Sequence, residues 1–145
     1  MKKKYSKMEK SKVIVDEMYE SDKFSQWLGI EIVEIKEGYC KLKMKVREEM
    51  INGFGIAHGG ICFSIADTAL AFAANSHNIK SLSIETSISL IKKVKADDII
   101  FAETNEISRN NKTAIYFVNL TNIANEVLAS FKGTVYVTAK KWIEN

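Results

Sequence analysis

The sequence predicts an α+β fold, in which one long central helix packs against a curved antiparallel β-sheet. Two segments with the alternation of strands precede a long apolar stretch, and four more strand-like segments follow it. The apolar stretch from Gly59 to Ser76 can form about 18 residues of helix, or roughly 27 Å. With 145 residues, the chain favours one domain with a hydrophobic core.

The chain opens with short helical segments. Residues 8–19 place Met8, Val15, Met18 and Tyr19 near helical spacing, which predicts a short amphipathic helix. The residues FSQWLG at 24–29 are expected to add another turn before the first strand.

Six segments predict strands. Residues 30–46, IEIVEIKEGYCKLKMKV, alternate on both sides of Glu37-Gly38, as a β-hairpin should. Residues 81–91, SLSIETSISLI, also alternate, and this pattern predicts one face made of Leu82, Ile84, Ile88 and Leu90. Three further strands are predicted in DIIFAETNEIS, KTAIYFVNLTN and EVLASFKGTVYVTA, separated by the turn-like RNNK and NIAN.

The predicted helix has an acid at its centre. It is apolar on every side, which is typical of a helix buried on every side. No cation lies three or four residues from Asp67, where the neighbours are Phe63, Ser64, Leu70 and Ala71. A buried carboxylate needs donors, a partner subunit or a proton, because leaving it unpaired is costly. A structural acid that is hydrogen-bonded to a neighbour and a catalytic acid are both consistent with Asp67 at this point.

The start of this helix is also unusual. His58, Gly59 and Gly60 stand where Ser, Thr, Asp or Asn usually caps the first free N–H groups. Bare glycine backbone at the positive end of the helix dipole can bind an oxyanion, although an ordinary glycine turn is the alternative. His58 and Cys62 lie one turn apart, but a cysteine on an apolar helix is typical of a core residue, and two ligands do not make a zinc site.

Composition narrows the classes of function. Hydrophobic residues make up 46% of the chain, charged residues 27%, and the net charge is +3, which is ordinary for a globular protein. The lysines are scattered, and Lys2, Lys3 and Lys4 indicate a solvated tail, so we expect no nucleic-acid partner. No apolar run of transmembrane length and no signal-peptide core is present, so we expect a cytoplasmic protein with no membrane partner. The two cysteines fit no disulfide framework or zinc motif, and we expect neither a metal nor a cofactor.

The combination of Asn52, His58-Gly59-Gly60 and Ala66-Asp67 resembles the PaaI-type branch of the hotdog-fold acyl-CoA thioesterases. The resemblance covers nearly the whole chain after about residue 25, including the order of the strands. It implies a hotdog fold, with an N-terminal helical extension over residues 1–24 and a hotdog thioesterase domain over residues 25–145. It also implies an acyl-CoA substrate and a homodimer joined edge to edge, often as a homotetramer built from two dimers.

The resemblance also implies roles for individual residues. Asp67 would be the nucleophile or general base, and the Gly59 backbone N–H would donate to the thioester carbonyl. Asn52 would bind that carbonyl or hold the attacking water, His58 would support the site, and Ser83 would bring a hydroxyl near the acid.

A loop near residues 92–98 is expected close to the CoA nucleotide. Lys93 and Asp97 stand in this loop where relatives commonly carry proline and glycine, so details of CoA binding differ from the family pattern. The candidates for phosphate contacts are Lys92, Lys93, Lys95, Arg109 and Lys112.

Helix spacing independently favours a dimer. Gly59 and Asp67 lie about 12 Å apart along one helix, so one carbonyl cannot contact both from the same chain, whereas two chains related by a two-fold axis could provide them. The leading hypothesis is hydrolysis of an aryl- or medium-chain acyl-CoA thioester. The alternatives are an acyl-thioester hydratase or dehydratase and a non-catalytic acyl-CoA-binding sensor. Residues that could line the acyl pocket, or belong to the core, are Phe54, Phe63, Phe72 and Leu90.

Overall fold

The computed structural model describes residues 5–144. In chain order its elements are α1 (Lys7–Ser21), α2 (Lys23–Leu28), β1 (Glu31–Lys36), β2 (Tyr39–Lys45), α3 (Gly59–Asn75), β3 (Ile79–Leu90), β4 (Ile99–Arg109), β5 (Thr113–Thr121) and β6 (Val127–Lys141), with a 3-10 turn at Glu48–Met50. These elements confirm the predicted order of helical segments and strands. The tail predicted for Lys2, Lys3 and Lys4 lies outside the described residues.

The strands form one antiparallel sheet in the order β1-β2-β4-β5-β6-β3. Helix α3 contacts β2, β3, β4, β5 and β6. Neighbouring strands are about 4.8 Å apart and a helix is about 10 Å wide, so one helix can contact five strands only if the sheet curves around it. The predicted α+β hotdog architecture, a long central helix wrapped by a curved antiparallel sheet, is confirmed.

Small residues let the sheet approach α3 closely. Alanines alternate with larger side chains on its buried side, which includes Ile65, Ala66, Ala69, Leu70 and Ala73. A Cβ at Gly133 of β6 would collide with the Leu70 side chain, so this position needs glycine. The expectation that α3 is buried on every side is wrong for one stripe. We call this stripe the open face of α3; its accessible residues recur every three or four positions and are Gly60, Ser64, Asp67 and Ala71.

Helices α1 and α2 pack along one side of α3. The hydroxyls of Ser25 and Thr68 lie 2.9 Å apart, and Ser11 Oγ donates to the carbonyl oxygen of Ser76 at 2.9 Å. The two N-terminal helices therefore form a wall beside the open face. The predicted boundary between residues 24 and 25 lies within α2, and the division into an extension and a domain stays a prediction.

The predicted apolar face of β3 is interrupted by a β-bulge. Residues opposite each other in antiparallel strands share a face. Ser81 and Ser83 pair with the buried Val137 and Val135, whereas Ile88 and Leu90 pair with the buried Phe131 and Ala129; Ile84, at the bulge, has no partner. The extra residue exchanges the two faces of the strand for every residue after it. Leu82 therefore points away from α3, while Ile88 and Leu90 point towards it. The prediction that Leu82, Ile84, Ile88 and Leu90 share one face is wrong for this reason.

Strand β3 is also an edge of the sheet, because it pairs only with β6. Leu82, Ile84 and Leu90 are each more than half exposed in the single chain. A long, apolar edge strand is a ready template for pairing with another chain.

Candidate active site

Asp67 lies midway along the open face of α3 and is partly exposed. Within residues 5–144, no group donates a hydrogen bond to its carboxylate or forms an ion pair with it. Desolvation by burial raises its pKa above the ordinary value of 3.8. A raised pKa makes the carboxylate a stronger base, which suits proton abstraction or nucleophilic attack near neutral pH. Residues 5–144 therefore supply no hydrogen bond or ion pair for the purely structural role that the sequence left open.

The first turn of α3 has one open donor. The imidazole of His58 caps the helix, because its Nδ1 accepts a hydrogen bond from the Gly60 N–H at 2.9 Å. The carbonyl oxygen of His58 accepts a second bond, from the Ile61 N–H, at 2.9 Å. The Gly59 N–H has no acceptor in the described part of the chain. Of the first three N–H groups of α3, the Gly59 N–H is therefore the one without an acceptor in residues 5–144, and it lies at the positive end of the helix dipole.

A hydrogen-bonded loop between the 3-10 turn and α3 carries Asn52. Its Oδ1 accepts hydrogen bonds from the Phe54 and Ile56 N–H groups at 2.9 and 3.3 Å, and its backbone N–H donates to the Ile56 carbonyl at 2.8 Å. Gly55 has φ +75°, a conformation that favours glycine. These contacts use the oxygen end of the Asn52 amide. The Nδ2 end, which has no acceptor within residues 5–144, remains available as a donor.

The bulge in β3 sets the direction of Ser83. Opposite the buried Val135, Ser83 lies on the side of the sheet that faces α3. It lines the same cleft as Ala71, which is one turn, or about 6 Å, beyond Asp67. Bulges commonly re-aim side chains beside active sites. Ser83 therefore lies on the face of β3 that looks towards α3, and its role beside the acid stays a prediction.

A cleft continues the open face beyond Asp67. Met18, Ala71 and Trp142 line both of its parts, one of about 320 Å³ beside α1 and one of about 490 Å³ beside β3. We call it the Trp142 cleft. The Trp142 indole is held there because its Nε1 donates to Asn75 Oδ1 at 2.9 Å. Sequence reasoning missed Met18 and Trp142, which lie near opposite ends of the chain; the one available signal was a tryptophan just past the last predicted strand.

The lysines predicted to contact CoA lie at the other end of α3. The start of the helix abuts the end of β3, since a Cβ at Gly59 would lie 2.8 Å from Leu90 Cδ1. Lys92 and Lys93 follow Leu90 and line an open cleft of about 460 Å³. Lys92 Nζ lies 2.7 Å from a carboxylate oxygen of Glu126, so part of its charge is already balanced.

Arg109 and Lys112 do not join these lysines. Arg109 points inward, where its Nη1 donates to the Ala74 carbonyl at 3.3 Å and to Tyr116 Oη at 3.4 Å. Lys112 is exposed in the turn between β4 and β5. The structure therefore brings Lys92 and Lys93 together near Gly59 and leaves Arg109 and Lys112 elsewhere. Lys95 is exposed two residues after Lys93 but does not line the cleft with them.

A Cys–His pair is poorly arranged for nucleophilic chemistry. Cys62 is buried, and desolvation raises the pKa of its thiol. The thiolate is the reactive form of cysteine, so this environment makes Cys62 inert. Among residues 5–144, no three His, Cys, Asp or Glu side chains are grouped as metal ligands. None of the helices in that range is both long and apolar enough to cross a membrane.

Comparisons with known proteins agree with the fold. Residues 54–129 match the family model described as "Thioesterase superfamily". The chain is 44% identical to a protein of Archaeoglobus fulgidus named "Putative esterase", over 85% of this chain and 80% of the relative. It is 33% identical to the acyl-coenzyme A thioesterase PaaI of Escherichia coli, over 80% of this chain and 83% of that protein. The solved structure of the E. coli PaaI protein from the phenylacetic acid degradation operon superimposes with a TM-score of 0.91 at 29% identity, covering 94% of this chain and 99% of the other.

Proposed function

This chain belongs to the thioesterase superfamily, as a PaaI-type hotdog thioesterase, and from that premise we propose that it hydrolyses aryl- or medium-chain acyl-CoA thioesters. The observation that carries the proposal is the Asp67 carboxylate, unpartnered within residues 5–144 and with a raised pKa, on the open face of α3. The acyl class is supported by the E. coli relative, whose structure is described as coming from a phenylacetic acid degradation operon.

In the proposed reaction, water and the thioester give a carboxylic acid and the free thiol of CoA. Asp67 either takes a proton from the attacking water or attacks the carbonyl carbon itself, which forms an anhydride that water then cleaves. In both routes the C–S bond breaks and the sulfur leaves as CoA thiolate. The raised pKa of Asp67 suits either role, because both use the ionised carboxylate.

The carbonyl oxygen gains negative charge in this reaction, and the Gly59 N–H is the donor proposed to stabilise it. Gly59 and Asp67 lie about 12 Å apart on one helix, so the proposed site combines Asp67 of one chain with Gly59 of a two-fold partner. The exposed, apolar edge of β3 supports such a dimer. A further pairing of two dimers is also proposed.

The remaining site residues act around this pair. The free Nδ2 of Asn52 would donate to the same carbonyl or to the attacking water. His58 would hold the helix start by occupying the Gly60 N–H, which leaves the Gly59 N–H for substrate. Ser83 would donate to the Asp67 carboxylate or to the water, because it faces α3.

Lys92 and Lys93, beside the start of α3, are the proposed phosphate contacts for CoA. Lys93 is the stronger candidate of the two, because the charge of Lys92 is already paired with Glu126.

A panel of acyl-CoA esters with detection of the released thiol tests the activity. We expect turnover with at least one aryl- or medium-chain ester, and the loss of that turnover in Asp67→Asn. Tight binding of CoA esters without thiol release would instead favour the acyl-CoA-binding sensor.

Mixed dimers test whether the site is shared. Asp67→Asn and Gly59→Pro chains, each inactive alone, are co-refolded in equal amounts. Random pairing makes about half of the dimers mixed, and each mixed dimer has one intact site, so activity should return to roughly a quarter of wild type. If every site were built within one chain, each would carry a lesion, and verified mixed dimers would stay inactive.

A further inference from the structure

We propose that the Trp142 cleft holds the acyl group of the substrate, and that Met18, Ala71 and Trp142 set which acyl groups are accepted. This inference rests on the proposed thioesterase activity. Met18 and Trp142 line both parts of this cleft and lie outside residues 54–129, the part matched by the family model.

The cleft begins close to Asp67. Ala71 lies one helical turn, about 6 Å, beyond Asp67 on the same open face. The acyl group is bonded directly to the carbonyl carbon that Asp67 attacks or serves. A group with its first carbon at Asp67 therefore reaches Ala71 within a few bonds.

The lining of the cleft includes apolar side chains that could contact an acyl group. A methionine thioether, an alanine methyl and an indole ring form an apolar part of the lining. Polar and charged residues complete it, and these are Asn75, Lys80, Ser81, Ser83, Thr138 and Lys140. The larger part of the cleft, about 490 Å³, lies within the range of roughly 300–1,000 Å³ that is typical of ligand pockets. Methionine adapts its shape to different apolar ligands.

The indole is fixed from two sides. Asn75 Oδ1 accepts from Trp142 Nε1 at 2.9 Å and from the Ser81 N–H at 2.9 Å, so the tryptophan is tied to both α3 and β3. Lys80 Nζ lies 4.7 Å from the centroid of the indole ring. An aromatic wall held this firmly can limit the length of a bound chain, because it cannot move aside cheaply.

An extended pantetheine arm would carry the nucleotide of CoA past this cleft. The pantetheine arm separates the sulfur from the phosphates by roughly 15 Å when extended, at peptide-like bond lengths. The cleft begins about 6 Å from Asp67. Within the same chain, Lys92 and Lys93, the proposed phosphate contacts, lie at the opposite end of α3 from the cleft.

The proposed dimer would also close the cleft. The two-fold axis that places Asp67 opposite the partner's Gly59 runs the two helices antiparallel. Ala71 follows Asp67 by four residues and Gly55 precedes Gly59 by four, so the partner's loop 52–56 would lie over Ala71. Phe54 in that loop is 91% exposed in the single chain and would become the outer wall.

The test uses two positions on the open face on either side of Asp67. Ala71→Leu adds bulk on the Trp142 side, and its matched control Ser64→Leu adds bulk on the Gly60 side. Wild type, both leucine variants and Met18→Ala are assayed on phenylacetyl-, octanoyl- and dodecanoyl-CoA and on the shortest ester that the wild type cleaves. All of these esters share CoA, so differences between them report the acyl group alone.

For Ala71→Leu we expect kcat/KM to fall at least about tenfold for octanoyl- and phenylacetyl-CoA, and less than about threefold for the shortest ester. Ser64→Leu should change all esters by a common factor. Met18→Ala, which enlarges the cleft from the other wall, should raise the ratio of dodecanoyl to octanoyl activity. Circular dichroism and sedimentation confirm that each variant is folded and assembled as the wild type is.

Two results would overturn the acyl assignment alone: a uniform effect of Ala71→Leu on all esters, or a length-selective loss in Ser64→Leu. An unchanged dodecanoyl to octanoyl ratio in Met18→Ala would count against it independently. If the wild type releases thiol from none of the esters, the proposed function and this inference both fall. If the wild type is active and each variant changes all esters by the same factor, the proposed function stands and only the acyl assignment is lost.

Discussion

Replacing Gly59 by proline removes one N–H group and leaves the rest of the helix start in place. That N–H has no acceptor within residues 5–144, so the fold loses no hydrogen bond. Gly59 is the first helical residue, where proline is well tolerated. The preceding His58 has φ −58° and ψ 135°, which is the extended conformation that a residue before proline adopts.

The expected effect follows from the role of the N–H. Loss of one oxyanion donor lowers kcat by about a hundred- to a thousandfold, or roughly 2.7–4 kcal/mol of transition-state stabilisation. A steric effect must be separated from this loss, because any Cβ at Gly59 would lie 2.8 Å from Leu90 Cδ1. Gly59→Ala introduces the same Cβ and keeps the N–H. Leu90 is an exposed and flexible neighbour, so we expect the alanine variant to lose less than about tenfold in kcat.

The assay measures kcat at saturating concentrations of the best ester in the panel, for wild type, Gly59→Ala and Gly59→Pro. Sedimentation and circular dichroism establish that all three are equally assembled and folded. Equal kcat values for the alanine and proline variants, whether both high or both low, would refute the reasoning, because only proline lacks the N–H. The thioester carbonyl would then bind elsewhere.

Three further predictions concern Asp67. Asp67→Asn should lower kcat at least about a hundredfold, as expected for a lost catalytic base or nucleophile, and near-full activity would make the acid structural. On the acid side of the pH profile, the apparent pKa of kcat/KM should lie above the ordinary aspartate pKa of 3.8, because burial raises the pKa of Asp67 and the carboxylate is the active form. Below that apparent pKa, kcat/KM should fall tenfold per pH unit. An apparent pKa at or below 3.8 would contradict this. Because the folded state holds this proton more tightly than the unfolded state, stability from this group is lost as pH rises from about 3.8 through the raised pKa. Thermal melts should therefore show Asp67→Asn more stable than wild type at pH 7, with a smaller gain near pH 4.

The site residues that could be predicted from the sequence are those whose type is unusual for their local structure. A lone acid on an apolar helix and a helix start without a usual cap are visible from neighbouring residues alone. The hotdog architecture was predictable for a similar reason, since each strand and the long helix carry their own periodicity. The imidazole cap was not predicted, because histidine is rarely an N-cap and the bond from Gly60 depends on a side-chain rotamer.

The features that sequence reasoning missed depend on contacts between distant segments. The bulge at Ile84 carries no glycine signal and arises from the register between β3 and β6, yet it decides that Ser83 faces α3. Met18 and Trp142 meet only because α1 and the end of β6 both pack beside Ala71. The inward direction of Arg109 likewise depends on Ala74 and Tyr116, which no local pattern connects to it.

Within residues 5–144, helix α3 has a hydrogen-bond acceptor without a donor, the Asp67 carboxylate, and a donor without an acceptor, the Gly59 N–H. Each such group costs folding free energy if it is buried without a partner. A single chain cannot bring them together, because about 12 Å of helix lies between them. A two-fold axis between antiparallel copies of α3 would place each carboxylate opposite the other chain's N–H, with room between them for the thioester carbonyl. The exposed apolar side chains of β3, on the edge beside α3, provide the surface on which such a pair could form. The same arrangement therefore accounts for the weak helix start, the central acid and the apolar edge strand, three features that have no separate explanation in the isolated chain.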